Sequence, residues 1–409
     1  MRKCLTSIIG LALLTMATTV QAGTDSVEDL KQTVNQLQNR IAELETKQDQ
    51  AMRREIHRDE VVALIKELNA DAAAHSGMPS WLEDLKFFGD LRLRYENTCY
   101  GPRAKERHRA RYRLRFGIKK YWLDKELEVG FRIASGSSDG PTSTNQTMGD
   151  GFATDELWID RAYAKYKPKA VEGLMLIGGK MGNPLVSTSM VWDSDVNPEG
   201  FFGSYTHKFD DNVEAFVGAG YFIANESQPE HDTILMAYQG GVNAKIGDVA
   251  LTAAATWYDW DHYVNSVGGV DFDKMQALNL TLKAKTKIAG LGVGGYVDFI
   301  KNLGSENEPA PFEGEDTGYA AGIKLGGNKK KGDWSLGYEY KHIEANATAN
   351  DFDDSDFGGT NRKGHAWKGK YSLTDDVSVG GAVFWTEDIK GPDAGDRDVI
   401  TQIDLVWKF

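Results

Sequence analysis

The stretch Val399–Phe409 reads Val-Ile-Thr-Gln-Ile-Asp-Leu-Val-Trp-Lys-Phe and ends the sequence. Val399, Thr401, Ile403, Leu405, Trp407 and Phe409 share one parity; Gln402, Asp404 and Lys408 lie on the other, among Ile400 and Val406. Successive side chains of a strand point to opposite faces, so this segment carries one apolar face and one mainly polar face. A soluble sandwich can use such a strand. So can a wall with lipid on one side and water on the other, and recurrence of the pattern favours the wall.

From about Leu85 onward the alternation is nearly continuous. Leu91, Leu93 and Tyr95 oppose Asp90, Arg92, Arg94 and Glu96. Val213, Ala215, Val217, Ala219, Tyr221 and Ile223 share a face, as do Leu278, Leu280, Leu282 and Ala284. Short connections at Asp210-Asp211-Asn212, Gly247-Asp248, Ala289-Gly290 and Thr374-Asp375-Asp376 alternate with long ones at 136–155, 183–199, 225–232, 261–273, 303–316, 346–361 and 389–397. Short turns on one rim and long loops on the other describe an all-β transmembrane antiparallel barrel of about 16 strands over 85–409. Trp81, Tyr121, Trp122, Tyr166, Trp257, Trp260, Trp385 and Trp407 stand near strand ends, where interfacial aromatic girdles belong. Trp407 and Phe409 are the expected signal to barrel-assembly machinery.

Three segments precede the barrel. Residues 1–22 read as a signal peptide, with Arg2 and Lys3, an apolar run from Leu5 to Val20 and a small-residue site at Ala22. Their removal makes the net charge of −13 more negative by two. Residues 23–70 predict an α-helical coiled-coil segment, periplasmic in this reading. Val27, Leu30, Val34, Leu37, Ile41 and Leu44 step by three and four along a seam that a lone helix cannot bury. Self-association is one outcome and packing on the chain's own barrel the other. Residues 71–84, with Gly77 and Pro79, read as a linker. Cys99 is the one cysteine left after the signal, which excludes an intramolecular disulfide. The acidic balance argues against nucleic acid as a partner.

The densest chemical pattern is Arg107, Arg109, Arg111, Arg113 and Arg115, alternating with His108, Ala110, Tyr112 and Leu114. Guanidinium groups on a lipid face cost ~2–4 kcal/mol each near the midplane, so this face must meet water or carboxylates. Arg92, Arg94, Arg132 and Arg161 have compatible parity. Two arrangements satisfy the pattern. One is a wet lumen lined by these nine arginines; the other is a structural network with Asp90, Glu96, Glu126 and Glu128. Lys283, Lys285, Lys287, Lys324, Lys368 and Lys370 also oppose apolar neighbours, whereas the long loops are acidic, as at Asp351, Asp353, Asp354 and Asp356. A basic lumen beneath an acidic mouth is the expectation.

Gly179-Lys180-Met181, Asn183-Pro184 and Trp192-Asp193-x-Asp195-x-Asn197-Pro198-Glu199-Gly200 form a second constellation. With Phe88 to Glu96, Arg111 to Gly117 and the terminal Phe409, they make the chain resemble the putative porin family of Gram-negative bacteria. The resemblance implies a sixteen-strand outer-membrane barrel with a periplasmic N-terminal helix and a loop, 183–199, that folds inward as a constriction. It sets Asp193, Asp195 and Glu199 across a gap from the arginines. It also implies a homo-oligomer, a trimer by analogy, among outer-membrane lipid and lipopolysaccharide. Asp193-x-Asp195-x-Asn197 spaces oxygens like a calcium loop, but Pro198 stands where glycine is required, and Asp and Asn before Pro also simply form a turn.

No nucleophile–base spacing or phosphate-cradling loop marks an enzyme, and no cofactor motif is present. The expected function is passive diffusion of small hydrophilic solutes or ions, with a weak anion preference. A structural anchor whose coiled coil tethers toward the cell wall is the alternative, and an outer-membrane lipase is a third.

Overall fold

The computed structural model describes residues 84–101, 105–137, 140–227, 231–305 and 308–409. The expected signal, the coiled-coil seam from Val27 to Leu44 and nearly all of the linker lie outside them. Sixteen long antiparallel strands form one closed sheet. In order they are β1 (Leu85–Tyr100), β2 (Arg107–Trp122), β3 (Leu127–Ala134), β4 (Trp158–Tyr166), β5 (Leu174–Lys180) and β6 (Glu199–Lys208). The circuit continues through β7 (Val213–Asn225), β8 (Thr233–Ile246), β9 (Val249–Asp261), β10 (Met275–Ile288) and β11 (Leu291–Asn302). It ends with β12 (Thr317–Gly326), β13 (Trp334–Ile343), β14 (Arg362–Ser372), β15 (Val377–Asp388) and β16 (Arg397–Lys408).

Each strand pairs with its sequence neighbours, and β16 pairs with β1, from Asp90 opposite Lys408 to Tyr100 opposite Asp398. Closure leaves no free edge, which is what a sheet in lipid requires. Phe409 seals the seam: its N–H and C=O bond Gly89 at 3.2 and 2.9 Å. Its ring lies 2.6 Å from where a Gly89 Cβ would stand, so only glycine leaves room there.

Period-two alternation sets the two faces. Leu93, Phe201 and Val217 are 40, 69 and 59% exposed on the outside, while Glu96, Gln239 and Gln402 face in at 1, 6 and 2%. The girdle expectation needs correction at Trp260 and Tyr121. Trp260 shares parity with buried Tyr258, and Tyr121 shares parity with Arg113 and Arg115, so both face inward. Short turns are held locally; the Asp210 carboxylate, for example, accepts N–H groups of Asn212 and Val213 at 2.7 and 2.8 Å.

The buried apolar cluster lies inside the barrel, toward the long-loop rim. It joins Met181, Met190, Val191 and Trp192 of the 181–198 connection to Tyr258, Met275 and Ile300 of the wall and Phe357 of the 344–361 connection. A small hairpin, Asn265–Val267 with Val270–Phe272, packs nearby against Phe312.

Candidate functional site

Register decides how the arginine strand is neutralised. On the inward face of β1 and β2, Asp90 stands opposite Arg115, Arg92 opposite Arg113, Arg94 opposite Arg111, and Glu96 opposite Arg109. Two rows therefore set like charges together, which is unfavourable, and the flanking acids relieve them diagonally. Asp90 accepts from Arg113 Nε at 2.9 Å and from Arg115 Nε at 2.8 Å. Glu96 accepts from Arg109 and, at 3.2 Å, from Arg111. Asp404 on β16 takes a two-pronged bond from Arg94 at 2.7 and 2.9 Å. Arg92 bonds Asn145, Arg132 bonds Asp160, and Arg161 bonds Asn197 at 2.7 Å. Arg107 is exposed at the long-loop end of β2. The arginines thus share one inward face with a paired network. Its acids are Asp90, Glu96, Asp160, Asp195, Asp356 and Asp404; Glu126 and Glu128 serve lysines instead.

The connection between β5 and β6 starts at Met181 and is closed at its base by Met181 N–H donating to Pro198 O at 2.9 Å. It crosses the lumen. Val186 exchanges bonds with the Gln239 amide on β8, both 3.0 Å, and Lys283 Nζ on β10 donates to Ser187 O at 2.6 Å. Thr188 bonds Asp298 on β11. On the return, Asn197 bonds Asp160 on β4 at 2.7 Å.

Of its three acids, only Asp195 meets the arginines, and it touches them with no gap between, 3.4 Å from Arg115 and with Thr144 Oγ1 donating at 3.0 Å. Burial works to raise the Asp195 pKa, but Arg113, Arg115 and Arg92 outweigh it and hold the carboxyl below its ordinary range. Asp193 points elsewhere: its carboxylate accepts Asp195 N–H at 2.8 Å and Ser355 N–H at 3.4 Å. Glu199 opens β6 with the parity of exposed Phe201, faces outward and pairs with Lys180 at 2.6 Å. The expectation that all three face the arginines is corrected accordingly; alternation on β6 removes Glu199, and the Asx turn at Asp193 removes the other.

A second inward loop, 344–361 between β13 and β14, is absent from the sequence reading, which sets its acids in an outer mouth. Asp353 and Asp354 are 1 and 8% exposed. Phe352 stacks on Trp260 at 5.2 Å and meets Trp192 at 5.8 Å, while its C=O accepts Asp193 N–H at 2.7 Å. Lys341, wholly buried, donates to Asp354 at 2.7 Å. Asp356 reaches Arg94 at 3.4 Å. The two inward loops therefore latch to each other and to the arginine wall. The sequence signal was Ala345, Ala347 and Ala349 with Phe352 and Phe357 inside an otherwise polar loop.

Toward the short-turn rim the inward face changes character. It carries Lys119, Lys165, Lys285, Lys324, Lys368, Lys370 and Lys408 among many glycines. Lys119 and Lys165 pair with Glu128, and Lys368 with Glu339 at 2.9 Å. Such a surface favours anions and hydrates readily.

A family model described as Putative porin matches residues 102–271 and 272–409. No curated protein matches the sequence. Among solved structures, OprB of Pseudomonas putida aligns with a TM-score of 0.55 at 11% identity, covering 80% of this chain and 94% of that one. OmpF of Salmonella typhi, in complex with daunomycin, aligns at 0.51 and 11%, covering 80% and 97%. At these identities the likeness concerns the fold.

Proposed function

Because this chain belongs to the putative porin family, whose members are outer-membrane channels, we propose that it passes small hydrophilic solutes and ions by diffusion, with a weak preference for anions. The observation that carries this reading is the inward face itself. It holds the arginine wall and the lysine-bearing half, against an outward face of exposed leucine, valine and aromatic side chains. Arg92, Arg94, Arg107, Arg109, Arg111, Arg113, Arg115, Arg132 and Arg161 line the path. The 181–198 loop, with Asp195 as its charged contact, narrows it. Fixed charges at a narrowing order water and favour polar over apolar solutes.

Planar-bilayer recording of the purified protein tests this: stable open steps support a channel, and their absence refutes it. A closed anchor is the second reading. It is favoured by Met181, Met190 and Phe357, each at most 1% exposed within the lumen, and it predicts a silent bilayer. The reading also assigns residues 23–70 to a periplasmic coiled coil that joins copies of the chain. Deleting residues 24–70 should lower the native mass, and an unchanged mass removes the helix from assembly.

A further inference from the structure

We propose that the short-turn half of the lumen holds a binding track for small solutes bearing two or more negative charges, built by Lys285, Lys324 and Lys370. The inference rests on the channel reading and adds the solute class. Register places Lys285 opposite Gly294, Gly294 opposite Lys324, Lys324 opposite Gly337, and Gly337 opposite Lys368. One row of the inner wall therefore alternates lysine and glycine across β10 to β14. Lys370, one inward position nearer the short-turn rim, stands opposite Gly380.

The glycines have a steric role. A Cβ at Gly294 would sit 3.7 Å from Lys285 Cγ, and one at Gly380 would sit 3.9 Å from Lys370 Cγ. The lysine stems lean over bare backbone, and each ammonium swings on a flexible stem without a neighbouring side chain to block it. Lysines on alternate strands are about 10 Å apart at the backbone, within reach of one compact dianion from both sides.

Neutralisation is incomplete here, unlike at the arginine wall. Among the described residues, Lys285, Lys324 and Lys370 have no carboxylate within the 4.0 Å ion-pair distance. Glu339 is occupied by Lys368 and Lys341, and Asp90 by Arg113 and Arg115. Asp404 is occupied by Arg94, and Asp404 and Asp90 act on Lys370 only at longer range. Lys324 and Lys408 stand near enough to Lys370 to act on its charge, and Lys283 and Lys285 are likewise neighbours. Repelling ammonium groups that lack acids, in a chain of net charge −13, leave a place that an anion with two charges fills better than chloride does.

The probe is inorganic pyrophosphate, titrated calorimetrically into the full-length protein in detergent and then added to either side of a bilayer carrying chloride current. Saturable binding is expected, with a current block in the same concentration range and stronger from the short-turn side. K285Q/K324Q/K370Q should weaken binding at least about tenfold while keeping its chloride steps, which shows that the barrel is folded. Lys180→Gln, outward on the rim, should bind as wild type does. No pyrophosphate binding by wild type, or undiminished binding by the triple variant, overturns the proposal whatever the current does. Binding without any chloride current would support the track and refute the channel.

Discussion

At Asp90 one carboxylate holds two guanidinium groups, with Arg113 and Arg115 both bonding it at 2.9 Å or less. Truncation to Ala leaves two half-buried cations facing Arg92 with their nearest acid gone. Asp90→Ala should therefore destabilise the barrel by about 3 kcal/mol, the lower end for a broken buried pair because the lumen is partly wet. Equilibrium urea unfolding in detergent reads this, and a loss below about 0.5 kcal/mol would place the pair among inconsequential surface bridges. Asp193 predicts a pH effect. Burial first, then the carboxylates of Asp354, Asp195 and Asp356, push it up to about 7. Its folded value exceeds its unfolded one, so its stabilising contribution is complete below about pH 4 and is lost as pH rises through about 7. The latch should then hold more tightly at about pH 5 than at about pH 8, giving quieter current at the lower value. Asp193→Asn should keep the quiet state throughout; an Asn variant with the wild-type pH profile removes Asp193 from this role. The side of the strand that carries these arginines is legible from parity alone. Their partners are not, because Asp404 lies 310 residues from Arg94 and only barrel closure brings them together.

At the level of elements, the strands and the inward loops follow different rules. Each strand carries its own two-face pattern, so sixteen of them and their alternating turn lengths can be read without any tertiary knowledge. A loop has no such period. The 344–361 connection looks solvated because four aspartates lie within six residues, yet it folds inward around Phe352 and Phe357 with Lys341 beneath Asp354. That ammonium comes from β13, and local sequence does not announce the pairing. The 181–198 loop is legible through its Asn-Pro and Trp-Asp motifs, whereas the outward direction of Glu199 depends on where β6 begins. Phe352 joins the two loops through Trp192 and Trp260. Phe352→Ala removes two aromatic contacts of about 1 kcal/mol each beyond their buried area. Current fluctuations should become several-fold more frequent while the barrel's urea midpoint changes little. Unaltered fluctuations would show that the loops do not move as a latch.

For the whole molecule, net charge misleads. The chain carries −13, but its acids include outer-loop positions and others already spent on arginines, while the free ammonium groups collect on the inward face near the short turns. A bulk property such as electrophoretic mobility will report the sum, and a permeating ion will meet the lining. Sequence composition alone gives the sum; parity gives the lining; register adds which charges are cancelled, and that last step required the closed sheet. The account's central claim is a conducting lumen whose fixed charge is opposite in sign to that of the protein. It is tested most directly by the reversal potential of the purified, full-length protein across a potassium chloride gradient. The account predicts open steps with a reversal potential displaced toward the chloride equilibrium value; displacement toward the potassium value would contradict it.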